Sequence, residues 1–166
     1  FGASSINKAI QNNLAAFLED NIQLIWQTGK PNAAAYVTAA NDYANVYVSS
    51  FIDDMSAAYT AADIVVSRSG AMAVAEISIT GKAAIFVPYP HAAEDHQTYN
   101  AEVLVKEKAA QMIADKNVVT ELFPMIEKLI ANKTVLSEMQ TKIKSFAWEN
   151  ADQVIAAEII HEIDSK

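Results

Sequence analysis

Short runs of β-branched and other apolar residues alternate along this chain with stretches whose apolar positions recur every three or four residues, the pattern of strands alternating with amphipathic helices. Ile6, Ile10, Leu14, Phe17 and Leu18 fall on one face of a first helix, with Asn, Lys and Gln between them and Ser4 or Ser5 placed to cap it. Residues 23–28 predict a short buried strand closed by Gly29-Lys30-Pro31, and an Ala-rich helix follows over about 32–40. A strand at 46–49 leads to Asp53, which stands where it can cap a helix running to Ala61. Next come a strand at 64–67, a helix from Ala71 to Thr80 ended by Gly81, and a strand at 83–88. A helix over 96–107, a short strand at 111–114 and helices over 120–131, 135–146 and 151–163 complete the series. In the last helix Val154, Ile155, Ile159, Ile160 and Ile163 cover more than one stripe, which fits either burial in the core or contact with another domain.

Alternation at this spacing predicts an α/β fold: a Rossmann-like, mostly parallel sheet with helices on both faces. Ligands of such sheets bind beyond the carboxyl ends of the strands. That rule puts Phe51-Ile52, the Arg68 to Ala73 corner and the His91 to Gln97 loop on one rim, although they are distant in sequence.

The corner is the richest of the three. A strand ending near Ser67 delivers Arg68, Ser69 and Gly70 to the rim, and the following helix aims its unpaired N–H groups at whatever lies there, which favours an anion. Ser and Gly also occur in such units simply to turn the chain and cap the helix. Glu76, early in the same helix, can accept both hydrogen bonds of a vicinal diol such as a ribose; its plainer role is to complement the helix dipole or face solvent. Arg68 has a structural ion pair as its plainer role.

The chain has 166 residues, 52% of them hydrophobic, which is the size and composition of one globular domain with a real core. Twelve basic against twenty acidic residues give a net charge of −8, which argues against a general nucleic-acid footprint or adhesion to anionic lipid. An anionic ligand therefore has to be held locally. The absence of cysteine excludes disulfide frameworks and thiolate metal sites, and three histidines without ligand-like spacing predict no metal site. No run of roughly 18 apolar residues spans a membrane. Phe1-Gly2-Ala3 reads as the remnant of a Gly-rich turn, so the chain is expected to be a fragment.

Several of these motifs agree in order and spacing over most of the chain: Phe51-Ile52-Asp53-Asp54-Met55, then Ala62-Asp63 with Ser67-Arg68-Ser69-Gly70-Ala71 and Glu76, then Phe86-Val87-Pro88, His91, Asp95, Gln97 and Asn100-Ala101. In these the sequence resembles the C-terminal domain of the MurG family, two-domain GT-B glycosyltransferases that move N-acetylglucosamine (GlcNAc) from UDP-GlcNAc to lipid I in bacterial peptidoglycan synthesis. The resemblance implies a single UDP-GlcNAc-binding domain over residues 1–166, with the acceptor domain absent. It implies a hexosyltransferase whose isolated half is inactive, lipid I as partner through the missing domain, and a cytoplasmic protein peripheral to the inner face of the membrane. Cell-wall biogenesis, cell shape and division are its setting.

The donor-binding set that the resemblance implies runs through Phe51, Ile52, Arg68, Ser69, Gly70, Ala71, Met72, Ala73, Val74, Ala75, Glu76, His96 and Gln97. The backbone of Ile52, with Phe51 beside it, meets the uracil; Ala71 to Ala73 present N–H groups to the diphosphate; Glu76 binds the ribose hydroxyls. Gln97, together with His96, meets the sugar hydroxyls, Arg68 serves the site's electrostatics, and Ser69 and Gly70 shape the turn. No catalytic base is assigned, since in this family it comes mainly from the other domain. No cofactor is implied, and no Asp-x-Asp pair stands where a metal-bridged diphosphate would need it; Asp53-Asp54 reads as cap and solvated acid. The chain departs from the family's pattern in the lost Gly-Gly-Ser turn before the first helix. It also carries Ala73 where many relatives have Thr, which removes a hydroxyl but keeps the backbone donor. Three other readings remain: a UDP-sugar transferase with another lipid acceptor such as diacylglycerol, a stand-alone nucleotide-sugar-binding subunit of a split GlcNAc transferase, and a flavodoxin-like regulatory domain.

Overall fold

The computed structural model describes residues 3–148 and 150–164. Five short strands alternate with helices: β1 (Leu24–Gln27), β2 (Val46–Ser49), β3 (Ile64–Ser67), β4 (Ala83–Phe86) and β5 (Gln111–Met112). The helices are α1 (Ser4–Asn12), α2 (Leu14–Glu19), α3 (Ala33–Ala40), α4 (Met55–Ala61), α5 (Ala71–Thr80), α6 (His96–Lys106), α7 (Val118–Ala131), α8 (Lys133–Lys144) and α9 (Ala151–Asp164). Every strand pair is parallel, in two ladders, β1-β2 and β3-β4-β5.

β4 shows why helices are needed on both faces. All four of its residues are buried, as expected of a continuous apolar run inside a parallel sheet. With period two, Ala83, Ile85 and Val87 enter one core with Ile6 and Ile10 of α1, Phe17 of α2 and Leu122 and Ile126 of α7. Ala84 and Phe86 enter the other, with Ile77 of α5, Ala101 and Leu104 of α6 and Ile143 of α8. Each such large apolar side chain contributes about 1.5–3 kcal/mol by leaving water. Phe17 meets Phe123 edge to face at 5.1 Å.

The two ladders do not merge. Between β1 and β3 lies a cleft of about 1180 Å³, lined by both strands and by residues of α1, α4 and α7. All four residues of β3 stay half-buried for this reason, although their sequence is as apolar as that of β4. The carboxyl end of the cleft's first wall is held by Asn7, whose Nδ2 donates to the Thr28 carbonyl at 2.8 Å while its Oδ1 accepts from Trp26 Nε1 at 2.9 Å.

Several local expectations change. The first helix breaks at Asn13 (φ −116°, ψ 13°), whose side chain donates back to the Ala9 carbonyl at 2.8 Å, and Leu18 beyond the break is exposed. That local bond competes with the helix ladder. Neither serine caps α1, because the residue before it is Ala3 and Ser5 is engaged elsewhere. Asp54 rather than Asp53 caps α4, accepting from the Ala57 N–H at 2.9 Å. The strands expected to reach Pro88 and Ala114 end at Phe86 and Met112, and α7 and α8 each begin two residues earlier than their periodicity suggests. In α9, Val154, Ile155, Ile159, Ile160 and Ile163 are all exposed, so the stripe is not core. The remnant turn at Phe1-Gly2 lies outside the described residues. Among those residues no helix is long and apolar enough to cross a membrane, and no group of three or more His, Asp or Glu is gathered as a metal site.

Candidate functional site

The β3–α5 corner is built as its sequence suggests. The extended backbone of Gly70 (φ −64°, ψ 150°) enters α5 with no side chain capping it. Among the described residues no protein acceptor meets the N–H groups of Ala71, Met72 and Ala73. Helical geometry points such groups outward along the axis, where their partial positive charge favours an anion. Since φ at Gly70 is ordinary, the glycine is not needed to make the turn. Its missing Cβ leaves space instead, because a Cβ there would stand 4.0 Å from Nε2 of Gln97.

Ser69 is fully buried and acts as a fastener between the corner and α6. Its Oγ donates to the Gln97 carbonyl at 2.7 Å, and Nδ2 of Asn100 donates to the Ser69 carbonyl at 3.0 Å. Gln97, in the first turn of α6, accepts at Oε1 from the Tyr89 N–H at 3.0 Å, which leaves its amide protons as donors near the corner. His96 contacts the Ala93 carbonyl through Nδ1 at 2.7 Å. A carbonyl only accepts, so Nδ1 is the donor in this contact and Nε2 is the ring's remaining polar atom.

Arg68 is turned inward. Its Nη1 donates to the carbonyls of Val87 (3.0 Å) and Pro88 (3.1 Å) and to Oδ1 of Asp115 at 2.5 Å, while Nη2 reaches Ser5 Oγ at 3.0 Å. The guanidinium lies 5.5 Å from the centre of the Tyr89 ring, and Ser5 Oγ also donates to Asp115 at 2.5 Å. Partial burial by itself raises the Asp115 pKa. The hydrogen bonds from Ser5 and Arg68, with the charges of Arg68 and His91, outweigh it and hold the carboxyl below its ordinary 3.8. One arginine thus ties α1, the end of β4 and the turn before α7 to the rim.

Glu76 lies on α5 facing α4, and its Oε2 accepts from the Tyr59 hydroxyl at 3.1 Å. On the opposite wall Phe51 is 63% exposed, and the Ile52 N–H donates to Oε1 of Gln27 at 2.9 Å. Phe51, Ile52, Arg68, Ala73 and Glu76 line one cleft together with Gln27 and Tyr59. Ser69, Gly70 and Gln97 form the adjoining corner through the contacts above. Met72 is 74% exposed, Val74 packs against the second core and Ala75 is exposed, so none of these three side chains lines the cleft. His96 is not among its lining residues either. Sequence reasoning did not single out Gln27, Tyr59 or Asp115, read Ser5 only as a possible helix cap, and gave Asn100 no role. Their partners lie 17 to 110 residues away, and isolated polar residues carry no periodic signal.

A row of backbone donors, a carboxylate about one and a half turns further along α5, and a carboxamide beside the corner suit a ligand carrying a diphosphate and vicinal hydroxyls. The chain matches the glycosyltransferase family 28 C-terminal domain over residues 1–155. It is 39% identical over 165 residues to the UDP-N-acetylglucosamine--N-acetylmuramyl-(pentapeptide) pyrophosphoryl-undecaprenol N-acetylglucosamine transferase of Flavobacterium psychrophilum, covering 99% of this chain and 45% of that protein. The protein of the same name from Bacteroides thetaiotaomicron is 40% identical over 163 residues, covering 96% and 44%. The crystal structure of Acinetobacter baumannii MurG superposes with a TM-score of 0.81 at 32% identity, over 97% of this chain and 47% of that one. The chain spans about half the length of the curated relatives it matches. Sequence, fold and rim agree, and the chain belongs to glycosyltransferase family 28, whose C-terminal domain it forms.

Proposed function

We propose that this chain is the donor-binding domain of a transferase that moves GlcNAc from UDP-GlcNAc to lipid I, giving lipid II for peptidoglycan. The observation that carries the reading is the open N-terminus of α5 with Glu76 further along the same helix. A diphosphate at the N–H groups of Ala71, Met72 and Ala73 puts the nucleoside between Glu76 and the Phe51-Ile52 wall. Glu76 then accepts from the ribose hydroxyls, and the exposed Phe51 ring offers an apolar surface to the base. The amide protons of Gln97 and Nε2 of His96 serve the sugar hydroxyls.

In glycosyl transfer negative charge builds on the departing diphosphate, and preorganised donors aimed at it lower the barrier without reorganising. The α5 N–H groups supply that function. Arg68, already paired with Asp115, contributes by holding the rim rather than by touching phosphate. The acceptor and its general base belong to the remainder of the longer protein, which works as a peripheral enzyme at the cytoplasmic face of the membrane.

Calorimetric titration with UDP-GlcNAc, UDP-glucose and UDP tests the reading. Preferential binding of UDP-GlcNAc supports both nucleotide and sugar recognition. Failure of the intact gene product to bind any of the three overturns it.

A further inference from the structure

No hydrogen bond joins Arg68 to Gln97 directly, but one peptide group connects them. The Pro88 carbonyl accepts from Arg68 Nη1 at 3.1 Å, and the Tyr89 N–H of the same peptide unit donates to Gln97 Oε1 at 3.0 Å. No described peptide bond is cis, and a trans unit points its C=O and its N–H in opposite directions. The peptide plane is therefore held between the guanidinium on one side and the carboxamide on the other.

Both ends of this connection are fixed. Arg68 is also bound to the Val87 carbonyl, Ser5 Oγ and Asp115 Oδ1, and its guanidinium lies 5.5 Å from the centre of the Tyr89 ring. The Tyr89 carbonyl accepts from the Ala92 N–H at 3.1 Å, and the prolines at 88 and 90 narrow the backbone on either side. At the other end Ser69 Oγ donates to the Gln97 carbonyl at 2.7 Å, so backbone and side chain of Gln97 are both held. An N–H can meet only the amide oxygen, so Gln97 Nε2 faces away from the loop. Among the described residues Nε2 has no protein acceptor, and it is the atom nearest to a Cβ placed on Gly70, at 4.0 Å. A cation on the carbonyl also polarises the peptide and strengthens its N–H as a donor.

We infer that Arg68 is a positioning residue for the sugar end of the donor, acting on Gln97 through the Pro88–Tyr89 peptide, an assignment that rests on the donor-site reading above. The guanidinium fixes the peptide plane, the plane fixes Oε1, and the Nε2 protons are left aimed at the corner, where sugar hydroxyl oxygens accept them. A carboxamide released from the peptide can rotate and present its oxygen where a donor is needed. The consequence is selective. Loosening Arg68 costs sugar recognition and spares the nucleotide, whereas an arginine bound to phosphate would cost both alike.

The test measures the ratio of UDP-GlcNAc affinity to UDP affinity by calorimetry on the intact gene product and its variants. Arg68→Lys keeps the charge, but a single ammonium cannot span the Pro88 carbonyl and the Asp115 carboxylate as the guanidinium fork does. Tyr89→Pro deletes the N–H itself and leaves the Arg68 ion pair in place; Tyr89→Ala, which loses the ring and keeps the N–H, is its control. Arg68→Lys and Tyr89→Pro are each expected to lower the ratio about fivefold with UDP affinity nearly unchanged, and Tyr89→Ala to leave it within about twofold. In a Gln97→Ala background the effect of Arg68→Lys on the ratio is expected to disappear, because the group it positions is gone. Each ratio is taken on one protein preparation, so partial loss of folded protein affects both titrations alike. A ratio unchanged in either Arg68→Lys or Tyr89→Pro, a loss shared equally by UDP and UDP-GlcNAc, or an Arg68→Lys effect that persists undiminished without Gln97 overturns the inference while the donor site stands. Failure of the unaltered protein to bind UDP overturns the donor-site reading, and this one with it.

Discussion

The hydroxyl of Tyr59 donates to Oε2 of Glu76 at 3.1 Å, joining α4 to α5 across the cleft wall. An ionised carboxylate accepts several hydrogen bonds, so this one leaves capacity for two ribose hydroxyls while restraining where they are met. Tyr59→Phe keeps the ring and loses the restraint, and a several-fold loss of UDP affinity is expected in titration. Glu76→Ala removes the acceptor itself and is expected to cost about tenfold or more. Equal affinity of the Glu76→Ala variant for UDP and 2′-deoxy-UDP, against a clear preference for UDP in the unaltered protein, identifies the ribose as the partner.

The same pair is readable without ligand. Burial, then the Glu76 charge and the hydrogen bond to it, raise the Tyr59 pKa from an ordinary 10.0 to about 12. A raised value means that folding favours the protonated phenol. The stabilisation is complete below about pH 10 and is lost as pH climbs from there through about 12. In a spectrophotometric titration of the six tyrosines, one is expected to ionise late, to vanish from the curve in Tyr59→Phe, and to ionise earlier in Glu76→Gln.

Arg68 and Asp115 give the opposite sign. The Asp115 pKa is depressed, so its contribution is present above the ordinary 3.8 and is lost as pH falls below that value. Asp115→Asn leaves the guanidinium without its charged partner and is expected to destabilise the fold by about 2 kcal/mol at neutral pH. The urea midpoints of variant and parent should converge in acid. A constant gap from pH 7 down to pH 2 counts against the ion pair as the source.

Gly70→Ala separates space from conformation. The glycine's backbone angles suit any residue, and the added methyl meets only Nε2 of Gln97, at 4.0 Å. The thermal midpoint is expected to stay within a degree or two, while affinity for UDP falls because the methyl occupies the approach to the α5 N–H groups. A large drop in stability with unchanged affinity reverses that account.

Much of this molecule is written locally. β2 at Val46–Ser49, β3 at Ile64–Ser67 and α5 at Ala71–Thr80 with its Gly81 terminator coincide with the residues that hydrophobic period and turn chemistry assign to them. Those signals are carried by neighbours within a few positions, and so are the α/β alternation and the corner at Ser69-Gly70. The side-chain bonds that shape the site are not local. Gln27 meets Ile52 across 25 positions, Tyr59 meets Glu76 across 17 and Arg68 meets Asp115 across 47. Whether Arg68 faced a ligand or an aspartate, and whether the ladders joined or left a cleft between β1 and β3, depended on which strand ends folding brought side by side. A single polar residue leaves no period in the chain, so its partner is chosen by packing, and packing sums contacts that no short window contains.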